Sequence, residues 1–420
     1  MASTPAPETP RVEPSPRQIL VALAICLVFV AITRLPIARP SAFDFDETGY
    51  LVTIEDGYFP KQHTLFLGSA RLMGEWLGNP YGGFLVVDAI TSALAMASVW
   101  WMLRAIVAPR AATVATLIMG VGPVFWAYGA MAANYTAIPA VGAFLFGIAW
   151  RGRTAPKSWH PFAAAVVLAL GAGYRQDIGL FWMPVLLVIL WQHRGMAAMQ
   201  AAMVFGICVL LWVIPVLRDA GGLANYRAET GKFARSAGYL NSIWNLGPID
   251  ATARYAFKAA MALSWTLGLG LLFVPQGIRR LRSRDGGWFL MAMMIIAAIP
   301  AMAMHLLVHF GVPGYAFHYL PALVVLMAVG LGSGRAATVR GITIAASLAA
   351  LFLLYPTNYQ RTGFRGDFDL SFARYTRVGL VTKAPLRDPD TWRTVISQRL
   401  PENVVPRPTK GRSWFSFKAN

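Results

Sequence analysis

Three carboxylates lie within four residues near the start of the chain. Asp44, Asp46 and Glu47 belong to the string Phe-Asp-Phe-Asp-Glu-Thr-Gly-Tyr, which covers residues 43–50. Their mutual repulsion is unfavourable unless a cation or a chemical task offsets it. Close carboxylates can hold one proton near neutral pH, which suits a general base. Asp46 and Glu47 could also bind Mg²⁺, Mn²⁺ or Ca²⁺ through their oxygens. A solvated acidic turn is the alternative without a function.

The elements that position this string are hydrophobic. Of the 420 residues 56% are hydrophobic and only 13% are charged, about half the charged fraction of a soluble domain. The apolar residues cluster into runs, and a run of about 20 residues is what a helix needs to cross a bilayer. We therefore predict an all-α polytopic membrane protein with about eleven transmembrane helices and amphipathic helices in its outer loops. The predicted spans are residues 19–32, 83–103, 111–128, 136–150, 159–174, 178–191, 199–217, 256–274, 288–307, 319–331 and 339–354.

The charges between these spans indicate their orientation. Alternate short connections are rich in Lys and Arg, as in residues 151–157 and 279–284, and such loops stay cytoplasmic. All but three of the 19 carboxylates, namely Glu8, Glu13 and Asp285, fall on the opposite side. This pattern places the N-terminus inside, and it places the acidic string and Asp88 at the outer side of the membrane.

The same pattern divides the chain into three parts. Residues 1–17, rich in Pro, Ser and Thr, are expected to form a disordered cytoplasmic tail. Residues 18–355 form the transmembrane domain, with a first outer loop at 33–82 and a second large outer loop at 218–255. Residues 356–420 are expected to form an extension or a small domain on the outer face. The net charge of +18 fits lipid head groups as partners, and no motif of a nucleic-acid-binding module is present.

The surroundings of the acidic string resemble a known family. After Asp46-Glu47-x-x-Tyr50 comes an aromatic-Pro-x-x-His segment at 59–63, and then an amphipathic stretch that ends in Leu77-Gly78. This order resembles the first outer loop of the C-type integral-membrane glycosyltransferases, in the branch of aminoarabinose transferases and protein O-mannosyltransferases. The resemblance extends over about residues 19–355.

A later segment adds to this resemblance. Residues 311–315, Gly-Val-Pro-Gly-Tyr, are followed by His318-Tyr319-Leu320-Pro321. They resemble the segment that precedes a late span in the same branch, where the family often has Arg-Tyr before Leu-Pro. His318 stands here at the Arg position.

The resemblance implies an activity and roles for particular residues. Such a protein would move a sugar from a polyprenyl-phosphate donor to an envelope glycan, lipid or protein acceptor on the outer face of the membrane. Asp46, at the family's first acidic position, is the candidate general base. Glu47 would orient the acceptor or help to bind a cation, and Asp44 is a second candidate for either task. Direct displacement with inversion needs one base.

The departing phosphate would need cations on the same side of the membrane. Arg175, in a very short outer turn, and the loop residues Lys232 and Arg235 can supply them. A salt bridge from Arg175 to Asp177 or to the first loop is the alternative, as lipid contact is for the loop cations. The full set of substrate-binding candidates is Tyr50, Lys61, His63, Arg175, Lys232, Arg235, His318 and Tyr319.

Two other functions compete with the transferase. A transporter or flippase of lipid-linked sugars would show paired half-repeats and charges at mid-membrane, whereas most charges here lie at span ends. An envelope glycan ligase or polymerase would share the many spans and the large second loop. We expect a multi-pass protein of the plasma (bacterial inner) membrane, with its active site on the periplasmic or extracellular face.

Overall fold

The computed structural model describes residues 13–35, 50, 63–233, 242–310 and 312–354, with only the backbone for Glu229, Lys232, Phe233 and Leu354. These residues contain helices and no strands, which confirms the all-α prediction. The helices of the first half are α1 (Pro16–Arg34), α2 (Thr64–Leu77), α3 (Pro80–Ile106), α4 (Pro109–Gly120), α5 (Pro123–Tyr128), α6 (Ala137–Thr154), α7 (His160–Tyr174) and α8 (Gln176–His193).

The second half continues the same architecture. Its helices are α9 (Gly195–Asp219), α10 (Leu223–Phe233), α11 (Ile243–Leu246), α12 (Pro248–Leu267), α13 (Val274–Arg282), α14 (Gly287–Leu307), α15 (Leu320–Leu331) and α16 (Arg335–Leu354). A 3₁₀ helix at Gly268–Phe273 joins α12 to α13, and another at Pro313–Tyr319 leads into α15.

Seven of these helical segments are long and apolar enough to cross a membrane. They are Pro16–Arg34, Pro80–Ile106, Gly195–Asp219, Pro248–Arg282, Gly287–Leu307, Pro313–Leu331 and Arg335–Leu353. The other predicted spans coincide with α4–α5, α6, α7 and α8, which are helical but shorter, interrupted or less apolar. About eleven hydrophobic segments therefore form helices, and seven of them reach full span length as continuous or nearly continuous helices.

The predicted span at 111–128 is broken into two helices. Gly120, Val121 and Gly122 precede Pro123, which has no N–H to continue the helical hydrogen bonds. Gly122 also lies against the carbonyl of Thr266, where the Cβ atom of any other residue would collide with the oxygen. The break lets α12 approach the α4–α5 junction closely.

Arg34, at the end of α1, also contacts the junction between α4 and α5. Its buried guanidinium donates to the carbonyl of Gly120, the last residue of α4, and lies within 6 Å of the rings of Phe29, Phe125 and Trp126. The partial negative charge of a helix C-terminus compensates a cation. This contact explains how an arginine is accommodated at the end of an apolar helix.

Helix starts along the chain follow local sequence. Ser15 accepts from Gln18 N at 3.3 Å while the Gln18 side chain accepts from Ser15 N at 3.0 Å, and Pro16 follows directly. This capping box fixes the start of α1. Asn79 caps α3 in a similar way by accepting from Gly82 N at 2.9 Å.

The charges predicted for the inner side meet at one end of the bundle. Glu13 pairs with Lys157 at 2.6 Å and with the buried Arg151 at 3.4 Å, beside the connection from α6 to α7. Arg284 donates to the carbonyl of Ile106, the last residue of α3, at 2.6 Å. Since α7 runs away from Lys157, its last residue, Tyr174, lies at the opposite end.

Candidate functional site

A buried ion pair lies at the turn between α7 and α8. Arg175 alone connects the two helices, and Asp177 is in the first turn of α8. Nε and Nη2 of Arg175 each donate to one carboxylate oxygen of Asp177 at 3.1 Å. The Arg175 side chain is 4% exposed and that of Asp177 is 19% exposed. The predicted alternative for Arg175, a salt bridge to Asp177, is thus present in the structure.

The connection between α5 and α6 and the 3₁₀ helix at Pro313–Tyr319 provide the other partners of this guanidinium. Nη1 of Arg175 donates to the side-chain oxygen of Asn134 at 2.5 Å. The guanidinium carbon lies 3.9 Å from the ring centroid of Tyr135 and 5.7 Å from that of Tyr315. Among the described residues, these hydrogen bonds use three of its five N–H groups. Two N–H groups therefore remain for a further acceptor.

The 3₁₀ helix at Pro313–Tyr319 also packs against the ion pair of Arg175 and Asp177. Nε2 of the buried His318 lies 3.5 Å from Oδ2 of Asp177. Tyr319 makes a 2.9 Å hydrogen bond through its hydroxyl to Nδ1 of His305 on α14. The late motif singled out in the sequence is thereby placed directly against the Arg175 turn.

His63 links the first outer loop to the same turn. Its Nδ1 lies 3.2 Å from the carbonyl oxygen of Tyr174, so this nitrogen carries the proton that the carbonyl accepts. Tyr50, the last residue of the acidic string, lies with its ring 5.7 Å from that of His63 and 5.8 Å from that of Phe66. Tyr50 therefore contacts His63, which in turn is hydrogen-bonded to the residue that precedes Arg175.

The electrostatics of the turn hold His63 neutral and Arg175 charged. Burial, helped by the positive charge of Arg175, lowers the pKa of His63 from 6.5 to about 3. Burial by itself would lower the pKa of Arg175, but the Asp177 carboxylate outweighs it and raises that pKa well above its usual range. The turn thus presents a permanent cation next to a neutral imidazole.

The predicted site residues divide into two groups. Tyr50, His63, Arg175, His318 and Tyr319 come together around the turn. The others lie outside the described residues or, for Lys232, have only a described backbone in α10. This second group consists of Asp44, Asp46, Glu47, Lys61, Lys232 and Arg235, so its roles stay predictions.

Sequence reasoning missed Asn134 and Tyr135 as partners of Arg175. They follow the string Gly-Ala-Met-Ala-Ala at 129–133, and nothing in that string points to chemistry. The one usable feature was a polar Asn-Tyr-Thr triplet at the outer end of a predicted span. The hydrogen bond of His305 to Tyr319 was also not among the predicted contacts.

Metal ligands do not cluster in the part of the chain that the structure describes. Across these residues, no three His, Cys, Asp or Glu side chains come together in a way that could hold a metal ion. Asp46 and Glu47 lie outside that part, and the cation site predicted on them is therefore still a prediction.

Comparison with known proteins relates this geometry to a fold. No protein-family model and no curated protein matches the sequence. The structure is similar to that of ArnT from Cupriavidus metallidurans bound to undecaprenyl phosphate, with a TM-score of 0.59 at 15% identity over 88% of this chain and 70% of that one. ArnT is an aminoarabinose transferase of the C-type superfamily. This chain has the C-type glycosyltransferase fold.

Two further solved structures are also similar to this chain. The apo form of the same ArnT gives a TM-score of 0.54 at 15% identity, covering 80% of this chain and 65% of that one. The oligosaccharyltransferase of Archaeoglobus fulgidus gives 0.47 at 12% identity, over 97% of this chain and 62% of that one. The resemblance predicted from the first loop and the late segment is confirmed for the C-type fold. Of the residues that carried the resemblance, Tyr50, His63, His318 and Tyr319 are described, and they lie around the Arg175 turn.

Proposed function

We propose that this protein transfers a sugar from a polyprenyl-phosphate donor to an acceptor on the outer face of the membrane. One observation carries the proposal. Tyr50 of the acidic string packs on His63, which is bonded to the turn that holds the buried cation Arg175. Tyr50 is three residues after Glu47 in a string suited to proton removal, and through His63 it is linked to the turn of a cation suited to phosphate. The fold shared with ArnT, whose structure holds undecaprenyl phosphate, supports the same donor class.

The chemistry follows from these two groups. Asp46 takes the proton of the acceptor hydroxyl as its oxygen attacks the anomeric carbon. The bond from that carbon to the lipid phosphate breaks on the opposite face, and the configuration inverts. Negative charge grows on the departing phosphate, and cationic donors in a water-poor site stabilise it. Two N–H groups of Arg175 make no hydrogen bond to any described residue and could serve this task, and its bidentate bond to Asp177 keeps the guanidinium plane fixed.

A buried Arg can serve an anion even though it is already paired. The rings of Tyr135 and Tyr315 lie against the guanidinium and help to exclude water from it. In such a low-dielectric place an electrostatic interaction is stronger than in water. Glu47 would orient the acceptor or help to bind a divalent cation. Lys61, Lys232 and Arg235 would add positive charge around the phosphate.

The direct test is sugar transfer by the purified full-length protein. A labelled sugar on a polyprenyl-phosphate carrier is supplied with candidate acceptors, with and without EDTA. We expect transfer by the wild type and a loss of about a hundredfold or more in Asp46→Asn, because the base contributes roughly 10²–10⁴. Glu75→Gln is the matched control, since Glu75 is an exposed carboxylate paired with Arg71 on the same outer loop.

The outcomes separate the parts of the proposal. Full activity of a folded Asp46→Asn protein would remove Asp46 from the role of base. Net movement of the lipid donor without sugar transfer would replace the transferase by a flippase. Activity lost in EDTA and restored by Mg²⁺, Mn²⁺ or Ca²⁺ would support the cation at Asp46 and Glu47, whereas activity unaffected by EDTA would remove it.

A further inference from the structure

Asp88 is an ionisable residue inside a long apolar helix. It lies in α3, one of the helices able to span a membrane, and its side chain is fully buried. An ionisable group inside a membrane-spanning helix is costly, and it usually pairs with another polar group and marks a functional site. Oδ2 of Asp88 accepts hydrogen bonds from two successive backbone amides, Ala133 N at 2.7 Å and Asn134 N at 3.3 Å.

These two amides belong to the connection between α5 and α6. Asn134 adopts a left-handed backbone conformation with φ of +45°, which Asn tolerates better than most residues. This conformation turns neighbouring N–H groups toward one side, where they form a concave site for an anion. Oδ2 of Asp88 occupies that site from within the protein.

Hydroxyl groups strengthen the contact between α3 and the connection. The hydroxyls of Thr91 and Thr136 are 2.6 Å apart, and Thr136 also lies 3.5 Å from the carbonyl oxygen of Asp88. Both threonines are buried. The connection is thus fixed to α3 at three positions, two through backbone amides and one through a side chain.

The fixed segment carries two of the groups that contact Arg175. Asn134 accepts from Nη1 of Arg175, and the ring of Tyr135 lies under its guanidinium. The Asn134 amide also donates to the carbonyl of Tyr174 at 3.5 Å, the same oxygen that His63 contacts. A shift of the connection would therefore move the guanidinium and the turn together.

We propose that Asp88 is a positioning residue for Arg175. It acts through the backbone of Ala133 and Asn134 and does not itself touch the substrate. Its hydrogen-bonding oxygen is what matters, because one oxygen receives both amides. The role for lipid phosphate rests on the proposed function, whereas the role in ordering the connection does not.

Two measurements on the full-length protein in lipid nanodiscs test this proposal. Hydrogen–deuterium exchange of peptides covering residues 129–136 reports the order of the connection. Binding of undecaprenyl phosphate reports whether the Arg175 guanidinium is held in place for a lipid phosphate. The variants are Asp88→Ala, Asp88→Asn and Asn134→Ala. Ser92→Ala is the matched control, because Ser92 is buried on the same helix against Gly129 and its hydroxyl makes no hydrogen bond among the described residues.

We expect Asp88→Ala to raise exchange at 129–136 and to weaken undecaprenyl phosphate binding about tenfold, the usual effect of losing a hydrogen bond to a charged or buried group. Asp88→Asn should restore binding to within about threefold, because its amide oxygen can still accept from both backbone N–H groups. Asn134→Ala should weaken binding as Asp88→Ala does. Ser92→Ala should match the wild type in both measurements.

Three results would overturn the proposal. The first is wild-type exchange and binding in Asp88→Ala. The second is Asp88→Asn as impaired as Asp88→Ala, which would mean that the charge acts and not the oxygen. The third is Asn134→Ala with wild-type binding, which decides the question even if Asp88→Ala does not fold. A wild type that fails to bind undecaprenyl phosphate would contradict the donor class instead, while the exchange data would still decide how Asp88 acts.

Discussion

Arg175 shows how a buried cation in this fold is held. Within the part of the chain that the structure describes, its partners are one carboxylate, one amide and two aromatic rings. Its charge is thus compensated while two of its N–H groups make no hydrogen bond there. Removing one member of a buried pair leaves the other uncompensated, which costs more than the pair itself contributes. The Asp177 carboxylate is accordingly needed for stability as well as for geometry.

Substitution of Asp177 tests this dependence. Asp177→Asn keeps the shape of the side chain but removes the charge opposite Arg175, and we expect a loss of about 2–3 kcal/mol in the free energy of unfolding. Asp219→Asn is the control, because Asp219 is exposed at the end of α9 and should change stability by less than about 0.5 kcal/mol. Unfolding in detergent measures both. Equal stability of the two variants would contradict the buried-pair interpretation.

His63 gives the turn a pH dependence of known sign. Its pKa is about 3 in the folded protein and near 6.5 in an unfolded chain, so between these values only the unfolded state binds the proton. The contribution of His63 to stability is therefore present above pH 6.5 and is lost as the pH falls toward 3.

This sign can be checked by melting temperatures measured between pH 7 and pH 4. The wild type should lose stability more steeply with falling pH than His63→Gln, which has no proton to bind but keeps a side-chain amide for Tyr174 O. Parallel slopes for the two proteins would show that His63 does not carry the effect. The slope is compared and not the absolute stability, so a general destabilisation does not confuse the result.

The helices bring distant residues together by close packing at particular points. The 3₁₀ helix at Pro313–Tyr319 can approach the α5–α6 connection because Gly314 has no side chain there. A Cβ atom on Gly314 would collide with the ring of Tyr135. Tyr135 in turn lies under Arg175, so this contact links the late motif to the cation, in addition to those of Tyr315 and His318.

Gly314→Ala tests the packing of the two elements. We expect it to displace Tyr135, to destabilise the protein by about 1–3 kcal/mol as overpacking does, and to weaken undecaprenyl phosphate binding. Gly206→Ala is the control, because Gly206 lies in the apolar α9, where an added Cβ atom would meet open space, and Ala favours a helix. A stable Gly314→Ala protein with unchanged binding would show that Tyr135 can move without consequence.

The molecule as a whole has two chemically different ends. The basic connections, with Glu13 paired to Lys157 and Arg284 bonded to the end of α3, lie at one end. The Arg175 turn lies at the other, together with Tyr50 and the late motif. Since short Lys- and Arg-rich loops stay cytoplasmic, we expect the Arg175 end to face outward.

Labelling of single cysteines tests this orientation. In a background with Cys26→Ala and Cys208→Ala, a membrane-impermeant thiol reagent applied outside intact cells should modify Glu47→Cys and not Arg282→Cys. Permeabilised cells should allow labelling at both positions, which controls for accessibility. Labelling of both from the same side of intact membranes would contradict the predicted orientation.

The sequence by itself determined that this protein lies in a membrane, that it is helical, and that its basic loops gather at one end. These features depend on local composition, because a run of apolar residues or a basic loop has the same meaning whatever lies beside it. The acidic string and the late motif were also visible, since each is contiguous in the chain.

Tertiary structure alone decided what the buried polar groups contact. Asn134 lies 41 residues before Arg175, and His318 lies 141 residues after Asp177. Which of these groups meet depends on helix packing, on the left-handed turn at Asn134 and on the space left at Gly314. None of these leaves a periodic pattern in the sequence. Asp88, visible in the sequence only as a charge near the end of a span, acquires a role because two backbone amides from another part of the chain converge on it.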